Sequence, residues 1–154
     1  MKALIQRVTS ATVSVEGAVV GEIGHGLVVF VGIANGDTLE DIQYLTRKII
    51  ELRIFEDTEG KFNLSVMDVS GELLLVSQFT LLANTRKGRR PGFTDAAPPE
   101  MAETLFNQFV EQAKATGLKI ATGIFQTHML VEINNDGPVT IMIDSRERLT
   151  SRSS

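Results

Sequence analysis

Apolar residues alternate with polar ones through the start of the chain. Val13, Val15, Val19 and Ile23 flank Glu16-Gly17, and Leu27 to Ile33 is an unbroken β-branched run. Alternation about a glycine-containing pair predicts a hairpin, and the unbroken run predicts a strand buried on both faces. The period then changes. Leu39, Ile42, Leu45, Ile49 and Leu52 recur at helical spacing, with Asp37 or Thr38 as cap and Glu40 and Asp41 in the first turn. This predicts an amphipathic helix over 38–52. Residues 55–70 hold Asp57-Thr58-Glu59-Gly60-Lys61 and Ser70-Gly71, the marks of a short strand or loop excursion. Residues 72–82 read as a strong strand and 83–99 as a long loop. Met101, Leu105, Phe106, Phe109, Val110 and Ala113 form a second helical stripe, opened by proline and stopped near Gly117. Strands are expected near 118–121, 123–133 and 139–144, followed by a polar tail that frays.

Strands dominate both ends, and the two helices fall between strand groups without strict alternation. That order favours an α+β fold, a β-rich open barrel-like sheet with two packed helices, over a doubly wound parallel sheet. The 154 residues, 43% hydrophobic and 22% charged, fit one compact domain, taken as 1–145 with a polar C-terminal tail over 146–154. No apolar run is long enough to cross a bilayer, and Gln6 and Arg7 interrupt the start before a signal-peptide core forms, so a cytoplasmic, unprocessed protein without membrane partners is expected. The absence of cysteine excludes disulfides, thiolate nucleophiles and Cys-type metal sites, and His25 and His128 form no ligand pattern. The net charge of -4 argues against a broad nucleic-acid-coating surface, DNA included, yet leaves room for a local basic patch.

Four features are candidates for chemistry. Ser77, Gln78 and Thr80 interrupt the apolar strand 72–82, where carbon is preferred; they are either satisfied strand polar groups or the wall of a site. Ser77 lacks the Gly-x-Ser-x-Gly elbow of a hydrolase nucleophile. Arg86, Lys87, Arg89 and Arg90 crowd the loop that leaves this strand, a cluster suited to phosphate oxygens or simply to solvent. Gly137-Pro138 can bring bare backbone carbonyls to a ligand and adopt a cis bond, or can form a hairpin turn with Asp136 ahead of a strand. Gly21-Glu22-Ile23-Gly24-His25-Gly26 lacks dinucleotide-fingerprint spacing, and His128 sits in a strand pattern as an ordinary polar residue.

Val76-Ser77-Gln78-Phe79-Thr80-Leu81 together with Asn135-Asp136-Gly137-Pro138-Val139-Thr140, with the start Met1 to Val8 and the loop Arg89-Arg90-Pro91-Gly92-Phe93, resembles the D-aminoacyl-tRNA deacylases over essentially the whole chain. The resemblance implies a homodimer with active sites at the subunit interface, which hydrolyses the ester joining a D-amino acid, or glycine, to the 3′ end of tRNA. It implies that Gly137-Pro138 is cis and enters the partner's site, where its carbonyls face the substrate α-amino group and its bulk excludes an L side chain. Arg7 occupies the family position that helps hold this motif across the interface. Ser77, Gln78, Phe79 and Thr80 line the opposite wall, with Phe79 flanking the terminal adenosine and nearby backbone N–H groups available to an oxyanion. Phe125 and Met129 complete the pocket, and Arg86, Lys87, Arg89 and Arg90 are the expected tRNA contacts. Thr80 has no evident base, so the resemblance favours assistance from the substrate's 2′-hydroxyl over a covalent threonyl intermediate. No metal or organic cofactor is implied. A noncatalytic RNA-binding module, a small-molecule esterase and, disfavoured by the Gly137-Pro138 pattern, the L-serine-removing editing domain of some archaeal threonyl-tRNA synthetases stand as the alternatives.

Overall fold

The computed structural model describes residues 1–150. In chain order the elements are β1 (Lys2–Val15), β2 (Ala18–Ile23), β3 (Gly26–Gly32), α1 (Leu39–Glu51), β4 (Phe55–Glu56), β5 (Phe62–Leu64), β6 (Glu72–Ser77), α2 (Pro99–Lys114), β7 (Lys119–Thr122) and β8 (Leu130–Asp144). Two 3-10 helices, Phe79–Leu82 and Ser145–Leu149, follow β6 and β8. Strand β1 is the spine: one edge pairs first with β3 and then with β2, while the other pairs with β8. Strands β3, β6 and β7 continue the sheet in parallel. The ring nearly closes where β2 meets β7, since a Cβ on Gly21 would stand 2.7 Å from the Thr122 carbonyl oxygen. The expected α+β, barrel-like sheet with two helices is the observed architecture.

Strand alternation sends side chains into two cores. Leu27, Val29, Val31, Leu73 and Leu75 pack against α1 and α2 through Ile42, Leu45, Ile49, Phe106 and Phe109. Val28, Leu74 and Val76 point the other way, to Val8, Val13 and Ile23 inside the barrel. The unbroken apolar run is thus buried on both faces, as its sequence predicts. Each fully buried side chain of this size contributes about 1.5–3 kcal/mol. Among the described residues no helix is long and apolar enough to cross a membrane.

Three strand expectations are corrected. The strand over 72–82 ends at Ser77: Gln78 N still donates to the Val31 carbonyl at 2.8 Å, but Leu81 N and Ala83 N then bond back to Gln78 and Thr80 at 3.2 and 3.1 Å. The turn is drawn in by Gly32 on β3, where a Cβ would meet Leu82 Cδ2 at 2.6 Å. Residues 123–129 are not strand; they form a loop pinned by Thr127 Oγ1 donating to the Ile124 carbonyl at 2.8 Å. The two strands expected around Asp136-Gly137 are one strand, β8, with no hairpin between them, because both halves pair with β1.

The tail expected to fray winds into a 3-10 helix over Ser145–Leu149, and residues 151–154 of that expectation lie outside the described residues. Its anchor is a polar knot at the start of α1. The Met1 ammonium donates to Asp37 Oδ1 and Ser145 Oγ, both at 3.0 Å, and Ser145 Oγ donates to Asp41 Oδ1 at 2.7 Å. Asp41 also accepts the N–H of the capping residue Thr38 at 2.8 Å and faces Arg148 at 3.4 Å. Burial pushes the Asp41 carboxyl up, but the Thr38 N–H, the Ser145 hydroxyl, the ammonium and Arg148 together outweigh it and hold the group below its ordinary 3.8. A depressed folded value means that Asp41 stabilises fully above the unfolded value and loses that contribution as pH falls through the folded one. Asp41→Asn is therefore expected to lower Tm at pH 7, with the gap to wild type shrinking below about pH 3.8; a constant gap from pH 7 to 2.5 would contradict this.

Candidate active site

A cleft of about 710 Å3 opens at the C-terminal end of β6. Ser77, the last strand residue, is half-buried there, and Gln78 beside it donates through Nε2 to Thr80 Oγ1. Phe79 projects with 57% of its surface exposed, its ring edge-on to Phe93 with centroids 5.0 Å apart. An exposed ring held by a second ring is a ready stacking platform. Phe125 and Met129 line the far side from the 123–129 loop, and the start of α2 supplies Pro98 and Pro99. The cleft is mostly apolar, and His128 is the one titratable residue in its wall. Among the described residues no carboxylate or lysine stands there to act as a strong base.

Thr80, Arg7, Gly137 and Pro138 are not in this lining. The last three belong to a separate construction on β8. Between the pairs Gln6–Thr140 and Val8–Asn135, four residues of β8 (136–139) face the single residue Arg7 of β1. The surplus is forced outward as a large bulge. Its base is stapled by Asn135, which accepts from Val139 N at 3.2 Å and donates to Thr140 Oγ1 at 3.0 Å. Its inner side rests on Arg7, only 5% exposed, which donates to the carbonyls of Asp136 at 3.1 Å and Ile54 at 2.8 Å. Glu56 and the Asp136 carboxylate, 3.7 and 3.5 Å away, complete the charge balance around it. The Gly137–Pro138 peptide is cis and both residues are exposed at the tip. Arg7 grips the bulge of its own chain, whereas the resemblance implies a hold across an interface.

The basic loop is tied at its neck by paired backbone bonds between Asn84 and Gly92, 2.8 and 2.9 Å. Arg86, Lys87, Arg89 and Arg90 are all exposed on it. Phe93, Pro98 and Pro99 are cleft residues that the sequence pattern did not single out. Phe93 lies inside the Arg89–Phe93 loop motif, but only the fold turns its ring onto Phe79. Among the described residues no group of three or more histidines or acids is placed to hold a metal ion.

An open barrel carrying a largely apolar cleft, with a serine and a glutamine in its wall, has the make-up of a ligand-binding site. Comparison with known proteins gives the family. The model of the D-Tyr-tRNA(Tyr) deacylase family matches residues 4–144, and the chain belongs to that family. A D-aminoacyl-tRNA deacylase of Dehalococcoides mccartyi strain BAV1 is 58% identical over 152 residues, 99% of each chain. One from Fervidobacterium nodosum is 50% identical over 147 residues, 96% of this chain and 99% of its own. Among solved structures, the c-Myc DNA Unwinding Element Binding Protein superposes with a TM-score of 0.89 at 47% identity, over 94% of this chain and 98% of that one.

Proposed function

We propose that this protein hydrolyses the ester of D-aminoacyl-tRNA, and of glycyl-tRNA, as a homodimer in which each copy offers its Gly137-Pro138 tip to the cleft of the other. The observation that carries this reading is the separation of the two parts within one chain. The cleft holds Ser77, Gln78, Phe79, Phe125 and Met129, while Gly137 and Pro138 do not line it and stand exposed on the bulge of β8. Exposed Leu130 and Met142 on β8 support a partner along that strand.

In this reading Phe79 stacks on the terminal adenine, and the carbonyls of the tip accept from the substrate ammonium. A D side chain leaves the site freely, whereas an L side chain meets Pro138. Discrimination then comes from a steric block, which serves many side chains at once. The N–H of Phe79 begins a 3-10 helix and has no intrahelical acceptor, so it is available to the oxyanion of a tetrahedral intermediate. The cleft wall lacks a strong base, which favours the ribose 2′-hydroxyl as the group that assists the attacking water. The chain's net charge of -4 and its local basic loop suit contact with the end of a tRNA better than a wide grip on duplex nucleic acid.

One assay tests the reading: release of amino acid from D-tyrosyl-tRNA and L-tyrosyl-tRNA, each ending in a ribose or a 2′-deoxyribose. Hydrolysis of the D ester alone, lost with the 2′-deoxy terminus, is expected; equal rates on both enantiomers would defeat it. Thr80→Val should retain kcat within about fivefold, because an unactivated hydroxyl contributes little as a nucleophile. A loss of 1,000-fold or more, on the order of what removing a true nucleophile costs, would restore the covalent alternative.

A further inference from the structure

A second, smaller cleft of about 330 Å3 has three cations among its lining residues. Lys2 enters it from the start of β1, Arg86 from the basic loop and Arg146 from the C-terminal 3-10 helix, with Asp95 as the one acid. None of these three cations has an ion-pair partner among the described residues. Arg148, two residues beyond Arg146, is by contrast paired with both Glu40 and Asp41. Three cations against one acid leave the cleft with a net positive lining that suits an anion.

The backbone beneath these side chains is fixed. Arg86 N donates to Asn84 Oδ1 at 2.9 Å, and Arg146 N to Asp144 Oδ1 at 3.0 Å. The two clefts are lined by neighbouring residues of the same two segments. Phe79 lines one and Leu82 the other, at opposite ends of a single 3-10 helix; Phe93 and Ala96 line one and Asp95 the other. A 3-10 helix rises about 2 Å per residue, so the two ends lie roughly 6 Å apart along its axis. The Phe79 platform and the wall of the second cleft are thus joined by a single turn of backbone.

We propose that Lys2, Arg86 and Arg146 form a phosphate seat for the single-stranded 3′ end of the tRNA, holding the backbone just upstream of the nucleotide whose ester lies over Phe79. The inference rests on the tRNA-ester reading above. Such a seat reads no base; it sets register and supplies binding that ground state and transition state share, so its loss appears in KM and not in kcat.

The test is steady-state deacylation of D-tyrosyl-tRNA and of D-tyrosyl-adenosine, which has no phosphate, by wild type, Arg146→Gln and the double variant Lys2→Gln/Arg146→Gln, with Arg47→Gln on the exposed face of α1 as a same-charge control. Arg146→Gln is expected to raise KM for the tRNA about fivefold and the double variant about twentyfold, with kcat unchanged. The salt dependence of log KM should flatten by about 0.7 for each phosphate that the variant no longer neutralises. D-tyrosyl-adenosine should be turned over at the wild-type rate by all variants. Wild-type KM and salt slope in the double variant, an equal loss on the nucleoside ester, or an equal loss in Arg47→Gln would each overturn the seat while leaving the deacylase reading intact. Failure of the wild-type protein on D-tyrosyl-tRNA would instead overturn the deacylase reading, and the seat with it.

Discussion

Gly137→Ala is expected to lower kcat/KM for D-tyrosyl-tRNA about 100-fold or more while the protein stays folded. Gly137 has φ +126°, a region that L side chains rarely adopt, so an added Cβ is strained before it meets any neighbour. The Cβ would then stand 2.8 Å from Val139 Cγ2 and 3.1 Å from Arg7 Nη2. Neither neighbour can give way. Val139 is buried at 8% exposure, and Arg7 is held by the carbonyls of Asp136 and Ile54. The tip itself must move, because the bulge is exposed and only its base is stapled. A displacement of about 1 Å at a positioning group costs on the order of 100-fold in rate. If the tip is the chirality filter of the partner's site, the ratio of D to L hydrolysis should change as well. Kinetics on both esters, with Tm as the check on folding, measure this; a variant with wild-type kcat/KM would remove the tip from the mechanism.

Gly26→Ala is expected to act on the whole molecule, lowering unfolding free energy by more than about 4 kcal/mol, at the severe end for a single substitution. Gly26 begins β3 between two strands, opposite Val8 of β1 and Glu72 of β6. A Cβ there would overlap the Glu72 backbone, lying 2.6 Å from its nitrogen and 2.7 Å from its carbonyl carbon. Backbone atoms of a central strand cannot rotate aside as a side-chain tip can. The β3–β6 ladder would have to open where Glu72 N donates to His25 O at 3.0 Å. Urea unfolding of the purified variant tests the expectation; a loss below about 1 kcal/mol would show that the sheet yields more easily than this packing allows.

The strands of the first third, both helices and the capping of α1 follow from local pattern, because periodicity and capping are decided within a few residues of one another. The end of β6 was not legible. Ser77-Gln78-Phe79-Thr80-Leu81 carries ordinary strand propensity, and the turn forms because Gly32, distant in sequence, leaves room for Leu82. Asp136-Gly137 has the composition of a hairpin, yet pairing with β1 resumes on both sides of it and the surplus residues form a bulge within one strand. Local turn preference is small beside the pairing of a strand along most of its length with β1.

The sequence alone determined the α+β architecture, the two helix faces, the absence of cysteine chemistry and the motifs that place the chain in its family, since each depends on residue type and short-range spacing. Only the tertiary structure decided that Arg7 braces its own chain's bulge, that Phe93 supports Phe79, and that Lys2, Arg86 and Arg146 meet in one cleft. Those juxtapositions join residues far apart along the chain. Their closeness follows from strand register and barrel curvature, which no local pattern encodes.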